Sequence, residues 1–402
     1  MNASYLFAII LTIASLTTKA QQGCTDPNAT NYNSTARIND GSCAYAATHY
    51  TPVLRAALPT DIPESSGLAW TDGRIWTHND SGDPIIYNID TTDGHVLQTV
   101  IVDNFPNTDW EDITADDHYI YIGDFGNNNG DRTDLKILKV AKADITTADT
   151  VHLNAQAIQF SYSDQTDFTS RAYAHDYDCE AMIAVNDSLY IFTKNWSDKQ
   201  TRVYQVAKAP GIYSVVPNSS YNINGLVTGA SYNTATEEIA LVGYIGLFSN
   251  SFLWFLNDYQ NHSFFTGNKR RIEVAQLLPW QTEGIVLISA NRFMISNEST
   301  PGNPSAIYLG AKDWLPATNL NDVLKHSTNY RLYPNPCNNA IALYGLKGPI
   351  EATIINAAGN VLSNEHLNTT MLQMNTECLP SGNYFLKLKN RSGIVTLPFS
   401  KQ

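Results

Sequence analysis

The chain has 402 residues with 43% hydrophobic and 11% aromatic content, enough apolar mass for a packed core and against global disorder. Its formal net charge is −13, unevenly spread. Residues 329–402 carry six basic and three acidic residues, so that tail is +3 and the rest of the chain is −16. An acidic body excludes nucleic acid and anionic membrane surfaces as partners and suits a cation or a cationic ligand.

Residues 1–20 read as a secretory signal peptide. Leu6–Leu16 is an apolar run too short to span a bilayer, and Ala20 supplies the small residue of a cleavage site. No later segment reads as transmembrane. Export permits disulfides, and the five cysteines pair most simply as Cys24 with Cys43 and Cys337 with Cys378. Cys179 is then a buried free thiol.

Residues 21–46 form a short Asn/Asp-rich unit pinned by its own two cysteines. Gly23 to Pro27, Asn31 to Asn33 and Asp40 to Cys43 match a motif that resembles one found at the start of, or between, domains of exported Bacteroidota proteins. Its oxygens fail the EF-hand pattern because Ala36 stands where a ligand belongs.

Residues 48–315 contain one phrase five times: Glu64–Ala69, Asp109–Thr114, Asp178–Ile183, Leu226–Ser231 and Gln281–Val286. Gly67, Asp112, Ala181, Gly229 and Gly284 are equivalent, at intervals of 45, 69, 48 and 55 residues. Each phrase precedes a second apolar strand, as at Arg74–His78, and a third, as at Ile85–Ile89. A fourth strand leads into the next copy. Four short strands at a period near 50 predict an all-β fold of propeller blades. The count is five, or six if the longest interval hides another blade. The last copy lacks a fourth strand, which His49–Leu58 can supply to close the ring. Asp124–Asp131 fails the EF-hand spacing and reads as a polar loop.

Residues 316–328 read as a linker to residues 329–402. There, Tyr333-Pro334-Asn335-Pro336 opens a set of alternating strands, and Pro380 to Tyr384 forms a late turn. This segment strongly resembles the C-terminal sorting domain of the Bacteroidota type IX secretion system. The resemblance implies a small antiparallel β-sandwich, the type IX machinery as partner, and delivery to the cell surface or beyond.

In a propeller, equivalent repeat positions converge at one mouth of the axis. Those positions are Ser66, Glu111, Glu180, Thr228 and Glu283, with Glu64, Asp109, Asp178 and Gln281 two residues upstream. The second strands end in His78-Asn79-Asp80, Asp124, Lys194-Asn195 and Asn297-Glu298. Asp80, Asp109, Asp178, Lys194 and Gln281 are therefore expected to bind ligand. Three carboxylates about one axis raise each other's pKa or hold a cation, and oxygen ligands without cysteine favour calcium. Equally, a Glu or Ser before Gly can hydrogen-bond the neighbouring blade with no ligand at all.

The Glu-Gly phrase in a ring with Asn and Asp is similar to calcium-dependent propeller hydrolases of the gluconolactonase and paraoxonase type and to phytase-like propellers. That resemblance implies calcium on Glu111, Glu180 and Glu283 with Asn195 and Asn297 as oxygen ligands. It makes His78 or His175 the proton shuttle. Two functions follow: a recognition module for a glycan or protein, or a calcium-dependent hydrolase of an ester, lactone or phosphoester. No nucleophile elbow, His-Glu-x-x-His, phosphate loop or dinucleotide fingerprint occurs.

Overall fold

The computed structural model describes residues 21–246, 249–274, 281–312, 331–344, 350–356, 360–367, 371–390 and 393–402. The signal segment at 1–20 and the linker at 316–328 lie outside the described residues. The chain divides into two compact units, one built mainly of Leu54–Lys312 and the other of the residues that follow. No helix among the described residues is long and apolar enough to cross a membrane.

Besides a two-stranded sheet of Gln22–Gly23 and Ile38–Asn39, the first unit has five larger sheets, each with one copy of the phrase on its innermost strand. Their first strands are Ser65–Thr71, Trp110–Ala115, Cys179–Val185, Leu226–Asn233 and Thr282–Leu287. From each, the chain meanders outward through antiparallel neighbours, as in Ser65–Thr71, Arg74–Asn79, Ile85–Ile89 and Val96–Val102. The fifth sheet takes its outer strand, Val53–Ala57, from the other end of the unit. The long interval between the second and third copies holds no additional sheet. It contributes Thr150–Leu153, which pairs in parallel with Val96–Val102 and covers the edge of the first sheet. Gly211–Val215 does the same for the second sheet.

First strands of successive sheets touch all the way round. Ser66 Oγ donates to the Glu111 carbonyl at 3.0 Å, the Met182 N–H donates to Asp112, and Thr228 Oγ1 donates to the Thr282 carbonyl at 2.6 Å. Ser296 Oγ donates to the Ser65 carbonyl at 3.3 Å, joining the fifth sheet to the first. Apolar clusters fill the space between sheets, one holding Trp110, Ile113 and Val100, another Tyr204, Ile191 and Phe160. Fully burying one such large side chain contributes about 2–3 kcal/mol.

Close packing at the centre explains the small residue in four of the five phrases, Asp112 being the exception. A Cβ on Gly67 would stand 2.6 Å from the Ile113 nitrogen, and one on Gly229 would collide with the Glu283 carbonyl. The residue before the small one is also special. In every first strand the register shifts at that position, so Ser66, Glu111, Glu180, Thr228 and Glu283 all fall at a β-bulge. A bulged residue drops out of the ladder and its side chain is re-aimed.

The segment before Thr48 is held by the Cys24–Cys43 disulfide, with an S–S distance of 2.06 Å. It docks on the fourth sheet through Asp258, whose carboxylate accepts from Thr25 Oγ1 at 3.0 Å and Asn39 Nδ2 at 2.8 Å.

The second unit has two antiparallel sheets. One is Arg331–Tyr333, Ala340–Tyr344 and Met371–Asn375, and the other is Val361–Leu367, Ile350–Asn356, Gly382–Asn390 and Gly393–Lys401. Ile341 and Met374 of the first share a core with Ile354, Leu386 and Phe399 of the second. The Tyr384 hydroxyl donates to the Pro380 carbonyl at 2.7 Å, which locks the late turn. The expected bridge between Cys337 and Cys378 is absent: both are free thiols. Cys337 is buried with its sulfur 3.7 Å from Thr376 Oγ1, whereas Cys378 is exposed.

Candidate functional site

Eight carboxyl groups, Glu64, Asp80, Asp109, Glu111, Asp178, Glu180, Glu283 and Glu298, form one electrostatically linked cluster with Lys194. They come from the first, second, third and fifth sheets. The fourth adds Tyr244, whose ring lies 5.3 Å from the Lys194 ammonium. Glu64, Asp80, Asp109 and Gln281 are half-buried and form a rim, while the other acids and Lys194 are buried beneath them.

The depth of the cluster is organised by Lys194. Its Nζ is 3.0 Å from Glu180 Oε1, and it lies over Trp196 at 5.0 Å. Asp178 is held in place: Oδ1 accepts from the Asn127 N–H at 2.6 Å and Oδ2 from Trp196 Nε1 at 2.8 Å. Tyr173, exposed, meets Trp196 edge-on at 4.7 Å. Glu111 and Asp109 converge on Gly126, where a Cβ would collide with both carboxylates. Glu283 Oε2, Asp80 Oδ1 and Asn297 Oδ1 have no hydrogen-bond partner among the described residues.

Charge crowding shows in the acidities. Burial, then the neighbouring Asp178, pushes Asp109 up to about 6. Burial pushes Glu283 up to about 7 against the pull of Lys194. Burial, then Glu64, lifts Asp80 to about 8, and burial with Glu283 lifts Glu298 to about 10. Glu111 and Glu180 are also raised, by burial first, then by Glu180 for the one and against the pull of Lys194 for the other. Because these groups hold protons in the folded state that the unfolded chain releases above about pH 4, stability falls as pH rises. The melting temperature is expected to drop between about pH 5 and pH 8, and more gently in Glu283→Gln. An identical slope in that variant would show that Glu283 does not titrate in this window.

Several residues expected at the site make other contacts in the structure. His78 is wholly buried at the Trp110 ring, with Nδ1 on the Asn79 carbonyl at 3.0 Å, and burial lowers its pKa to about 4. Its imidazole is excluded from solvent. His175 has both nitrogens engaged, Nδ1 accepting from the Tyr177 N–H at 3.2 Å and Nε2 facing the Asn128 carbonyl at 3.1 Å. It braces the polar loop after Asp124, stacking under Gly130. Asn195 turns inward too: its Oδ1 accepts from Thr193 Oγ1 at 2.5 Å, and its Nδ2 donates to Asp198 at 2.8 Å. Asn297 keeps only Oδ1 open, since its amide donates to the Glu298 and Pro304 carbonyls.

The expected calcium ligands Glu111, Glu180 and Glu283 do share a cluster, with Lys194 as its internal cation. Among the described residues, the acids that bring three ligand atoms within 4.8 Å are elsewhere, at the surface hairpin of Asp90, Asp93 and His95. Ser66 and Thr228, the two copies without an acid, spend their hydroxyls on the neighbouring sheet. Gln281 sits on the rim beside Glu283 and hydrogen-bonds it.

Asp112 carries a role the repeat pattern did not suggest. Its Oδ1 accepts from the Ile113 N–H at 2.8 Å, and its Oδ2 from Met182 at 2.6 Å and Ala230 at 3.3 Å. One carboxyl thus ties the second, third and fourth sheets at the centre. The signal was present in the sequence as the one charged residue in a slot otherwise filled by Gly or Ala.

Residues 331–399 match the family model of the secretion system C-terminal sorting domain. The chain has no match among curated protein sequences. Among solved structures it is similar to PorZ, a surface component of the type IX secretion system of Porphyromonas gingivalis, at 12% identity and TM-score 0.30. That likeness covers 84% of this chain and 45% of PorZ, so the chain spans less than half the length of that protein. It is also similar to a GH43_1 enzyme from Xanthomonas citri, at 12% identity and TM-score 0.41 over 65% of this chain and 90% of that one. An exo-β-1,3-galactanase from Phanerochaete chrysosporium gives 8% identity and TM-score 0.41 over 87% and 98%. Nothing about ligand or activity follows from these likenesses. The C-terminal segment is a type IX secretion sorting domain, and the chain is a protein exported to the cell surface or the extracellular space.

Proposed function

We propose that this exported protein is a recognition module built on a five-bladed propeller, with the acid-lined mouth as its binding face and a small two-sheet sandwich as its sorting tail. The observation that carries the reading is a carboxyl-rich cluster around Lys194, with Arg132 as a second cation beside Asp109, and with Glu283 Oε2, Asp80 Oδ1 and Asn297 Oδ1 left without hydrogen bonds among the described residues. Buried acceptors with no partner are costly, by about 1–3 kcal/mol each, and a donor-bearing ligand relieves that cost. The half-buried rim lets such a ligand approach, and the exposed Tyr173 beside Trp196 offers it an aromatic wall.

Recognition is favoured over calcium-dependent hydrolysis because His78 and His175 are both committed to packing, and Lys194 supplies the charge that calcium would bring. The test is a binding panel on the full secreted chain: neutral oligosaccharides, basic peptides and anionic sugars. Neutral or basic compounds are expected to bind, and an Asp80→Asn/Glu283→Gln double variant is expected to lose them. Preferential binding of anionic compounds, or binding indifferent to the double variant, overturns the assignment of the mouth.

A further inference from the structure

We infer that the mouth takes a primary ammonium group, from a lysine side chain or a free polyamine, as the charged end of its ligand. This rests on the recognition reading and narrows it to one chemistry.

Several donors in the mouth are engaged. Lys194 Nζ is on Glu180, Trp196 Nε1 on Asp178, Ser81 Oγ on Glu64 at 2.7 Å, and the Asn297 amide on two carbonyls. The open positions are acceptors: Glu283 Oε2, on a side chain only 2% exposed, Asp80 Oδ1 on the rim, and Asn297 Oδ1, fully buried. A sugar hydroxyl brings an acceptor with every donor and no charge to offset that of the acids. A primary ammonium brings three donors and no acceptor. It also brings the charge that the carboxylates lack, and charge-assisted hydrogen bonds are roughly twice as strong as neutral ones.

The protein already contains an example of the complex. Lys194 is a primary ammonium in this mouth, paired to a carboxylate at 3.0 Å and seated over Trp196 at 5.0 Å and Tyr244 at 5.3 Å. Ammonium against aromatic faces is favourable, and more so away from water. A second ammonium would find Glu283, Asp80 and Glu298, where Glu298 is linked to Glu283, Asp80 and Glu64.

The experiment is calorimetric titration of the full secreted chain with putrescine and with 1,4-butanediol, which have the same length and differ in the end group. Nα-acetyl-lysine amide is the third arm, at matched ionic strength throughout. Saturable binding of putrescine is expected, with none for the diol, and at least a tenfold loss of affinity in Glu283→Gln, about 1.4 kcal/mol. Asp80→Asn, on the rim, is the second variant and is expected to weaken binding without touching the buried layer. Binding of acetyl-lysine amide comparable to putrescine identifies a lysine side chain as the source, and much weaker binding identifies a polyamine with two charged ends. Equal binding of diamine and diol, or diamine binding unchanged in both variants, overturns the inference. If neutral oligosaccharides bind and putrescine does not, the recognition reading stands and the ammonium falls. If neither binds, both fall.

Discussion

Asp112→Ala is expected to cost about 3–5 kcal/mol, roughly 10 °C or more in melting temperature. The carboxyl accepts three backbone N–H groups and joins three sheets where their first strands meet. Alanine strands the N–H groups of the fully buried Met182 and Ala230, and a buried unsatisfied donor costs its full desolvation. No neighbour can move in to help, because Gly67 already stands in contact with Asp112 and tolerates no side chain. Asp112→Asn retains an oxygen toward Met182 and Ala230 but turns an amide against Ile113, so it is expected to lose less. Thermal melting of the two variants beside the native chain measures both. An alanine variant that melts within about 2 °C of the native chain would show that the sheets close without this tie.

Lys194→Met is the second large effect, expected to destabilise by about 3–5 kcal/mol. The methionine fills the volume of the stem and removes the charge. Glu180 then sits buried without its partner at 3.0 Å, among Asp178, Glu111 and Glu283. Breaking one half of a buried pair costs far more than removing both, because the survivor stays uncompensated. Adding Glu180→Gln to Lys194→Met should therefore recover a large part of the loss. A double variant no more stable than Lys194→Met alone would mean that Lys194 contributes through packing against Trp196 and Tyr244 instead.

The repeat was legible because it is a packing requirement. Where five strands crowd one axis, a small residue must recur, and Gly67, Ala181, Gly229 and Gly284 mark it in the sequence as clearly as in the structure. The N-terminal strand that completes the fifth sheet was legible from a missing strand at the other end. The long interval was ambiguous: Thr150–Leu153 is an alternating apolar segment, and only its pairing with Val96–Val102 shows that it extends an existing sheet.

The site was half legible, for a physical reason. Glu111, Glu180 and Glu283 could be aligned because they occupy the same bulge, yet a bulge leaves no trace in hydrophobic alternation. His78 and His175 looked reactive because residue type says nothing about which hydrogen bonds a ring has already made. Lys194 was placed at the mouth, and its pairing with Glu180 is local to one hairpin, but its burial against Tyr244 depends on the next sheet. The bridge between Cys337 and Cys378 failed for a similar reason: neighbouring segments do not guarantee that two side chains point at each other.

The proposed ammonium site and a calcium site at this mouth make opposite predictions. Thermal melting of the full secreted chain with calcium, with a chelator and with putrescine, native beside Glu283→Gln, separates them most directly. The account predicts the same melting temperature with calcium and with chelator, and a rise with putrescine that the variant loses. A rise with calcium that Glu283→Gln abolishes, with none for putrescine, would contradict it.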